Sequence, residues 1–313
     1  MRALVAAAYG RQFELWQDGD STCVTQAVTR GKKTEVSVGD WVNFNHTSKA
    51  ADQSVIEAIE PRRNEVKRSD AFRTKWLAAN IDIAVLVVAI DPPFSDEVTT
   101  RVRCAMQVAN VPLLLVLNKM DRLEHMQAHE QLRLSRQIAD LKSSHVDMIE
   151  VSAKLDPEDL KAQLATRLEN KTVLLLGQSG MGKSTLLNAL VPNASARTQE
   201  ISTVLSSGKH TTTHSKMYCV LKDDAGFEAL LIDSPGFQAF GLGHLSISQL
   251  NHSMPEFEPY LGECRFNNCR HFDEPGCAIT LAVSNGAISR SRYNAFKTIA
   301  SDIAFIDQAN LRS

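Results

Sequence analysis

This 313-residue sequence lacks long apolar runs, charge of one sign and a cysteine framework, and each absence removes a class of function. No stretch approaches the ~20 apolar residues needed to span a bilayer. The apolar N-terminus, Met1 to Ala8, is interrupted at Tyr9-Gly10-Arg11 and is too short for a signal peptide with its cleavage site. The expectation is a cytoplasmic protein with no membrane partner. A formal net charge of -2 excludes a polyanion-coating protein, so any nucleic-acid contact must come from local basic patches. Arg62, Arg63, Lys67, Arg68, Arg73 and Lys75 form one candidate patch, and solvated linker charges are the plainer reading. Of six cysteines, Cys23, Cys104 and Cys219 are scattered while Cys264, Cys269 and Cys277 cluster, which in a reducing compartment indicates a metal site and not disulfides. Internal repeats, low-complexity linkers and heptads are also missing, and nothing compels an oligomer, so a monomer is expected.

What is present falls into three parts. From Met1 to about Glu60, short alternating apolar runs are broken by turn residues, as in Phe13 to Trp16 before Asp18-Gly19-Asp20, then Glu35 to Phe44; this spacing predicts a small all-β barrel or sandwich. Continuous apolar runs follow at 81–90, 111–117, 148–151, 172–176 and 229–232, with helical segments around Val98 to Ala109 and Glu124 to Leu141. That alternation predicts a parallel sheet covered on both faces, with ligand loops at the C-terminal strand ends. Beyond about Ser246 the chain reads as helical through the Cys/His cluster, ending in an amphipathic stretch from Ile288 to Leu311.

Gly177-Gln178-Ser179-Gly180-Met181-Gly182-Lys183-Ser184 follows a strand and opens an apolar helix at Thr185, the context a phosphate-binding loop needs. Its backbone N–H groups would wrap the phosphates, with Lys183 reaching the β and γ groups and the Ser184 hydroxyl on Mg²⁺. Guanine is selected by Asn118-Lys119-Met120-Asp121. The Asp121 carboxylate can accept from guanine N1–H and N2–H₂, Asn118 can bond the base edge, and the Lys119 stem can lie on the ring, whereas adenine would leave the carboxylate unpaired. Ser152-Ala153-Lys154, after the next strand, adds a backbone N–H at Ala153 for guanine O6. Asp233-Ser234-Pro235-Gly236 supplies a water-mediated Mg²⁺ ligand in Asp233 and a γ-phosphate sensor in the Gly236 N–H. Between the phosphate loop and that strand, the Thr-rich stretch 208–214 can place a threonine on Mg²⁺; Thr212 and Thr213 are the candidates, and a simple turn into the next strand is the alternative.

Phe237 stands where many Ras-like GTPases carry the glutamine that orients the attacking water. Slow intrinsic hydrolysis is therefore expected, and His244 is the candidate water-positioning group within the chain, against the plainer reading of a packing histidine. Cys264-x4-Cys269-x-His271-x5-Cys277 offers three thiolates and an imidazole for a closed, structural zinc site, with reduced free cysteines as the alternative.

The guanine motif precedes the phosphate loop by about sixty residues, the reverse of the usual order, which a circular permutation of an intact fold explains. The order Asn118-Lys-x-Asp, Ser152-Ala-Lys, Gly177-x4-Gly-Lys-Ser, Thr211-Thr-Thr, Asp233-x-Pro-Gly and Cys-x4-Cys-x-His-x5-Cys resembles the circularly permuted GTPases of the RsgA (YjeQ/YloQ) type. The resemblance is specific from Ala78 to Cys277 and weaker in the first sixty residues. It implies an OB-fold-like β domain over residues 1–65, a permuted P-loop GTPase domain over 66–245, and a helical zinc-binding domain with a C-terminal helix over 246–313. It also implies late assembly work on the small ribosomal subunit and its rRNA, with GTP hydrolysis stimulated by that subunit. Two alternatives stand beside it: an RNA-binding module that senses GTP versus GDP with little turnover, and a permuted GTPase of the large subunit, a group without the Cys₃His cluster.

Overall fold

The computed structural model describes residues 1–30, 35–46, 54–69, 74–192, 194, 214–235 and 237–310. Five strands come first: β1 Arg2–Tyr9, β2 Gln12–Gln17, β3 Val24–Thr29, β4 Trp41–His46 and β5 Ser54–Ile59. They pair in the order β1-β2-β3-β5-β4, and β4 returns to β1, so the sheet closes into an OB-type barrel. Closure follows from alternation, since Ala3, Val5, Phe13, Leu15, Ala27, Val42, Phe44 and Ile56 all point inward to one small core.

The segment read as a basic linker is instead a hairpin, β6 Glu65–Ser69 and β7 Thr74–Ala79. Its charges are largely committed within the chain. Arg62 bonds Asp40 at 2.7 Å and Glu65 at 2.6 Å, Arg63 bonds Asp82 at 2.7 Å, and Lys67 pairs with Glu65. Val66 and Leu77 are buried beneath the hairpin, which is why its strands hold despite their charge. Arg73 lies outside the described residues. Gly39 lets β7 approach the barrel: its φ is +91°, and a Cβ there would come within 2.1 Å of the Ala79 carbonyl oxygen.

An α/β layer follows: β8 Ile83–Ala89, α1 Asp96–Val108, β9 Leu113–Asn118, α2 Ala128–Ser143, β10 Asp147–Glu150, α3 Pro157–Leu168, β11 Lys171–Gly177, α4 Lys183–Leu190, β12 Lys216–Val220 and β13 Ala229–Asp233. The strand order is β10-β9-β8-β11-β13-β12, parallel except for β12. β8 is buried along its whole length and its residues divide by parity. Ala84, Leu86 and Val88 face one core, shared with α1 and the C-terminal region; Ile83, Val85, Val87 and Ala89 face the other, shared with α3 and α4. Both faces of the sheet are therefore covered, as the continuous apolar runs require. β12 also joins β1 through Ala7 and Lys216, making barrel and parallel layer one eleven-stranded sheet.

The C-terminal region is helical: Ile247–His252, a 3₁₀ turn at Pro255–Tyr260, Ala278–Ser284 and the long helix Arg290–Asn310. Phe257 and Phe296, their rings 4.9 Å apart, anchor it to the core that α1 shares. Among the described residues, no helix is long and apolar enough to cross a membrane.

Candidate functional site

The phosphate-loop, guanine and switch motifs emerge from the C-terminal ends of the parallel strands. The phosphate loop leaves β11, Asn118 ends β9, Ser152 follows β10, and Asp233 ends β13. The chain order is permuted, yet β8, carrying neither the guanine motif nor the phosphate loop, lies between β9 and β11 and brings them side by side.

Asn118 is buried and joins two of the other loops. Its Nδ2 donates to the Met181 carbonyl at 3.1 Å, and its Oδ1 accepts from the Ala153 N–H at 3.1 Å. The phosphate loop is shaped around this side chain. Gly182 has φ +96°, and a Cβ at that position would lie 2.1 Å from Asn118 Nδ2. Lys119 adopts a left-handed backbone with φ 65° and sends its Nζ across the loop to the carbonyls of Gly180, at 2.7 Å, and Asp91, at 2.6 Å. Burial, then Arg122, lower its pKa, with Asp91 and Asp121 opposing. Met120 donates its backbone N–H to Val151 at 3.2 Å, and Asp121 donates its own to Ser152 Oγ at 2.9 Å, which ties the guanine loop to the Ser-Ala-Lys loop. Asp121 and Lys154 are exposed.

At the phosphate end, Gln178, Ser179, Gly180 and Met181 form the turn, and Lys183, Ser184 and Thr185 open α4. Lys183 pairs with the Asp233 carboxylate and donates to the Ser234 carbonyl at 2.7 Å. Asp233 is 8% exposed, and burial pushes its pKa up while Lys183 pulls against that shift. Cation and anion thus hold each other beneath the loop, with Ser184 exposed above. Gln178 Nε2 reaches the Gln238 carbonyl at 2.9 Å, a link from the phosphate loop into the segment after the switch that the sequence did not announce. Gly236, Thr212 and Thr213 lie outside the described residues. Phe237 is buried edge-to-face on Phe240, with centroids 5.2 Å apart, and carries no polar group into the site. His244 is partly buried, its backbone N–H donating to Ser69 Oγ at 2.8 Å and its Nδ1 lying 2.9 Å from the same oxygen.

Cys264, Cys269, His271 and Cys277 gather with all four ligand atoms within 4.8 Å of one another. Cys264 Sγ is 3.9 Å from Cys277 Sγ and 3.5 Å from His271 Nδ1, and Cys277 Sγ is 3.6 Å from the same nitrogen. A tetrahedral ion with bonds of about 2.3 Å to sulfur and 2.0 Å to nitrogen needs edges of roughly 3.5–3.8 Å. The three edges among Cys264, Cys277 and His271 come close to that shape, and Cys269 Sγ lies within 4.8 Å of the other ligand atoms. Burial lowers the His271 pKa, keeping the imidazole in the neutral form a ligand requires. Around it, Glu274 accepts the N–H groups of Arg270 and Phe272 at 3.0 and 2.9 Å, the Ala278 N–H points at Cys264 Sγ from 3.3 Å, and Tyr293 Oη donates to the His271 carbonyl at 2.9 Å. These contacts orient the ligand-bearing segments.

Comparison with known proteins gives the same family throughout. The RsgA GTPase family model matches residues 59–243. A small ribosomal subunit biogenesis GTPase RsgA of Paraburkholderia phymatum is 44% identical over 294 residues, covering 94% of this chain and 89% of that relative. Its counterpart from Burkholderia pseudomallei is 45% identical over 290 residues, covering 92% and 88%. Among solved structures, YjeQ from Thermotoga maritima superposes with TM-score 0.67 at 25% identity, covering 97% of this chain and 98% of that one. YloQ, a circularly permuted GTPase, superposes with TM-score 0.64 at 22% identity over 97% and 94%, a likeness of fold.

Proposed function

The chain belongs to the RsgA GTPase family, and from that membership we propose that it hydrolyses GTP during late assembly of the small ribosomal subunit, binding the subunit's rRNA and leaving it as the nucleotide state changes. The observation that carries this reading is the Asn118 side chain, bonded at once to the Met181 carbonyl of the phosphate loop and the Ala153 N–H of the Ser-Ala-Lys loop. Three motifs dispersed by the permutation meet on one residue.

In this reading Asp121 accepts from the guanine edge, Lys119 covers the base, and Asn118 holds Ala153 in place for O6. Gly177 to Thr185 wrap the phosphates, with Lys183 at the β and γ groups. Ser184 and Asp233 would hold Mg²⁺, Asp233 through water, and that ion supplies charge neutralisation at the phosphates. The donor chemistry fits, since Asp233 is a buried carboxylate already balanced by a cation. When Lys183 turns to phosphate, Asp233 becomes available, so nucleotide binding exchanges one ion pair for another. Gly236 would sense the γ-phosphate, and Thr212 or Thr213 would complete the metal's ligands. His244 orients the attacking water, a task Phe237 cannot perform.

The Cys₃His cluster would hold one structural zinc, its four ligands leaving no open position for chemistry. The working divisions are residues 1–65, 66–245 and 246–313, in a cytoplasmic monomer. A second reading, a GTP/GDP sensor with little turnover, is favoured by the hydrocarbon side chain at Phe237.

One measurement separates them. GTP turnover is followed for the protein alone and with purified small or large ribosomal subunits. Acceleration by small subunits alone is expected. Equal acceleration by large subunits, or none by either, would sink the assignment, and His244→Ala should lose the acceleration while retaining GTP binding.

A further inference from the structure

The hairpin β6–β7 and the segment after the switch, 175 residues apart in sequence, are joined at one buried serine. Ser69 is the last residue of β6 and is 5% exposed. Its N–H donates to the Gly241 carbonyl at 3.0 Å, it forms a parallel bridge with Leu242, and its Oγ accepts the His244 N–H at 2.8 Å. The same oxygen lies 2.9 Å from His244 Nδ1. A hydroxyl has one hydrogen to give. With the backbone N–H already donating to the oxygen, and Nδ1 the only acceptor in reach among the described residues, the hydroxyl hydrogen belongs on the line to Nδ1. Nδ1 is then an acceptor, and a neutral imidazole must carry its hydrogen on Nε2. Burial, and after it Lys67, lower the His244 pKa, which keeps the ring neutral near pH 7.

We propose that Ser69 is a positioning residue for His244, holding the imidazole in the Nε2–H tautomer so that its far edge acts as a hydrogen-bond donor and not as a proton acceptor. The assignment rests on the role given to His244 above. It makes His244 a group that can orient and polarise but not take a proton at that edge, the part a glutamine amide plays elsewhere. It also makes the hairpin a support for the catalytic segment: whatever moves β6 moves the His244 ring, because one side chain holds both its backbone and its Nδ1.

The test uses the full-length protein labelled with ¹⁵N in histidine only, with the His244 signals identified by their disappearance in His244→Gln. Long-range ¹H–¹⁵N correlation should show Nε2 protonated and Nδ1 bare in the wild type. Ser69→Ala should shift those signals toward a mixture of tautomers and lower subunit-stimulated turnover about ten- to a hundredfold, the scale of a mispositioned catalytic group. Ser69→Thr, which keeps the hydroxyl, should restore both. His244→Gln, which keeps an N–H donor, should retain more turnover than His244→Ala. A wild-type ring protonated on Nδ1, or an imidazole spectrum unchanged in Ser69→Ala, overturns the proposal whatever the turnover. If Ser69→Ala shifts the tautomer but His244→Ala leaves stimulated turnover intact, the catalytic reading of His244 fails and the tautomer assignment survives.

Discussion

At the scale of single residues, the site depends on close approach more than on charge. Gly182 combines a positive φ with the Asn118 amide lying where its Cβ would be. Gly182→Ala must therefore strain the backbone or expel Asn118, at a cost of about 2 kcal/mol or more. We expect GTP affinity to fall at least roughly thirtyfold, read by titration with a fluorescent nucleotide. Unchanged affinity would mean that the loop yields without disturbing the guanine motif. Asn118→Ala acts from the other side, leaving a carbonyl and an N–H inside the fold unsatisfied at about 1–3 kcal/mol each, so both nucleotide binding and thermal stability should drop. The motif residues were legible in the sequence because each carries its chemistry locally. The bridging role of Asn118 was not, since its partners at Met181 and Ala153 lie 63 and 35 residues away. Ser69 was invisible for the same reason: a lone serine gains meaning only when a fold brings an imidazole to it.

At the scale of elements, periodicity served well wherever one face was buried and poorly where charge was dense. The runs at 81–90 and 172–176 became β8 and β11, with every end displaced by two residues or fewer. The hairpin β6–β7 escaped because Lys67, Arg68 and Lys75 obscure its buried Val66 and Leu77, and a bulge between Val66 and Lys67 breaks the alternation. The junction between α1 and the C-terminal helix was equally hidden. There Arg292, buried, donates to Glu256 at 2.6 Å and to Thr100 at 2.5 Å, while Glu256 Oε2 finds no hydrogen-bond partner among the described residues. Burial opposes ionisation of Glu256, yet Arg292 outweighs it and the carboxylate pKa falls below its ordinary value. A lowered carboxylate pKa contributes stability that is present above the unfolded value, about 4.3, and is lost as pH falls through the folded one. Acidification below about pH 4.3 should thus loosen this junction. Glu256→Gln leaves Arg292 buried without its anion, a loss of about 3–5 kcal/mol at neutral pH. In thermal melts the gap between wild type and variant should be widest near pH 7 and narrow on acidification. A gap independent of pH would show that the pair contributes nothing through ionisation.

At the scale of the whole molecule, the permutation decides what the switch is attached to. Asp233 lies 31 residues before Cys264, and the intervening chain passes through Phe240, Leu242 and Leu245, all buried in the core that also holds Phe257, Ile279 and Phe296. The Cys₃His cluster and the switch therefore share one packed body in addition to a short covalent path, and a change at either can bias the other. The guanine and phosphate loops stand on other strands, linked to each other by Asn118 and Lys119 and not through the cluster. Loss of the metal proposed for that cluster should accordingly separate two properties that a simple unfolding would remove together. We expect a zinc-selective chelator, with Mg²⁺ in excess, or Cys269→Ser, to abolish acceleration by small subunits while leaving GTP affinity within about twofold. The chain from 264 to 277 loses its staple, but the C-terminal helix keeps Phe296 on Phe257 and Arg292 on Thr100 of α1, so helical circular dichroism should fall only slightly. If affinity collapses with the metal, the C-terminal region is a foundation of the nucleotide site. If acceleration survives, the cluster has no part in coupling, and the inverted order of motifs carries no mechanical consequence.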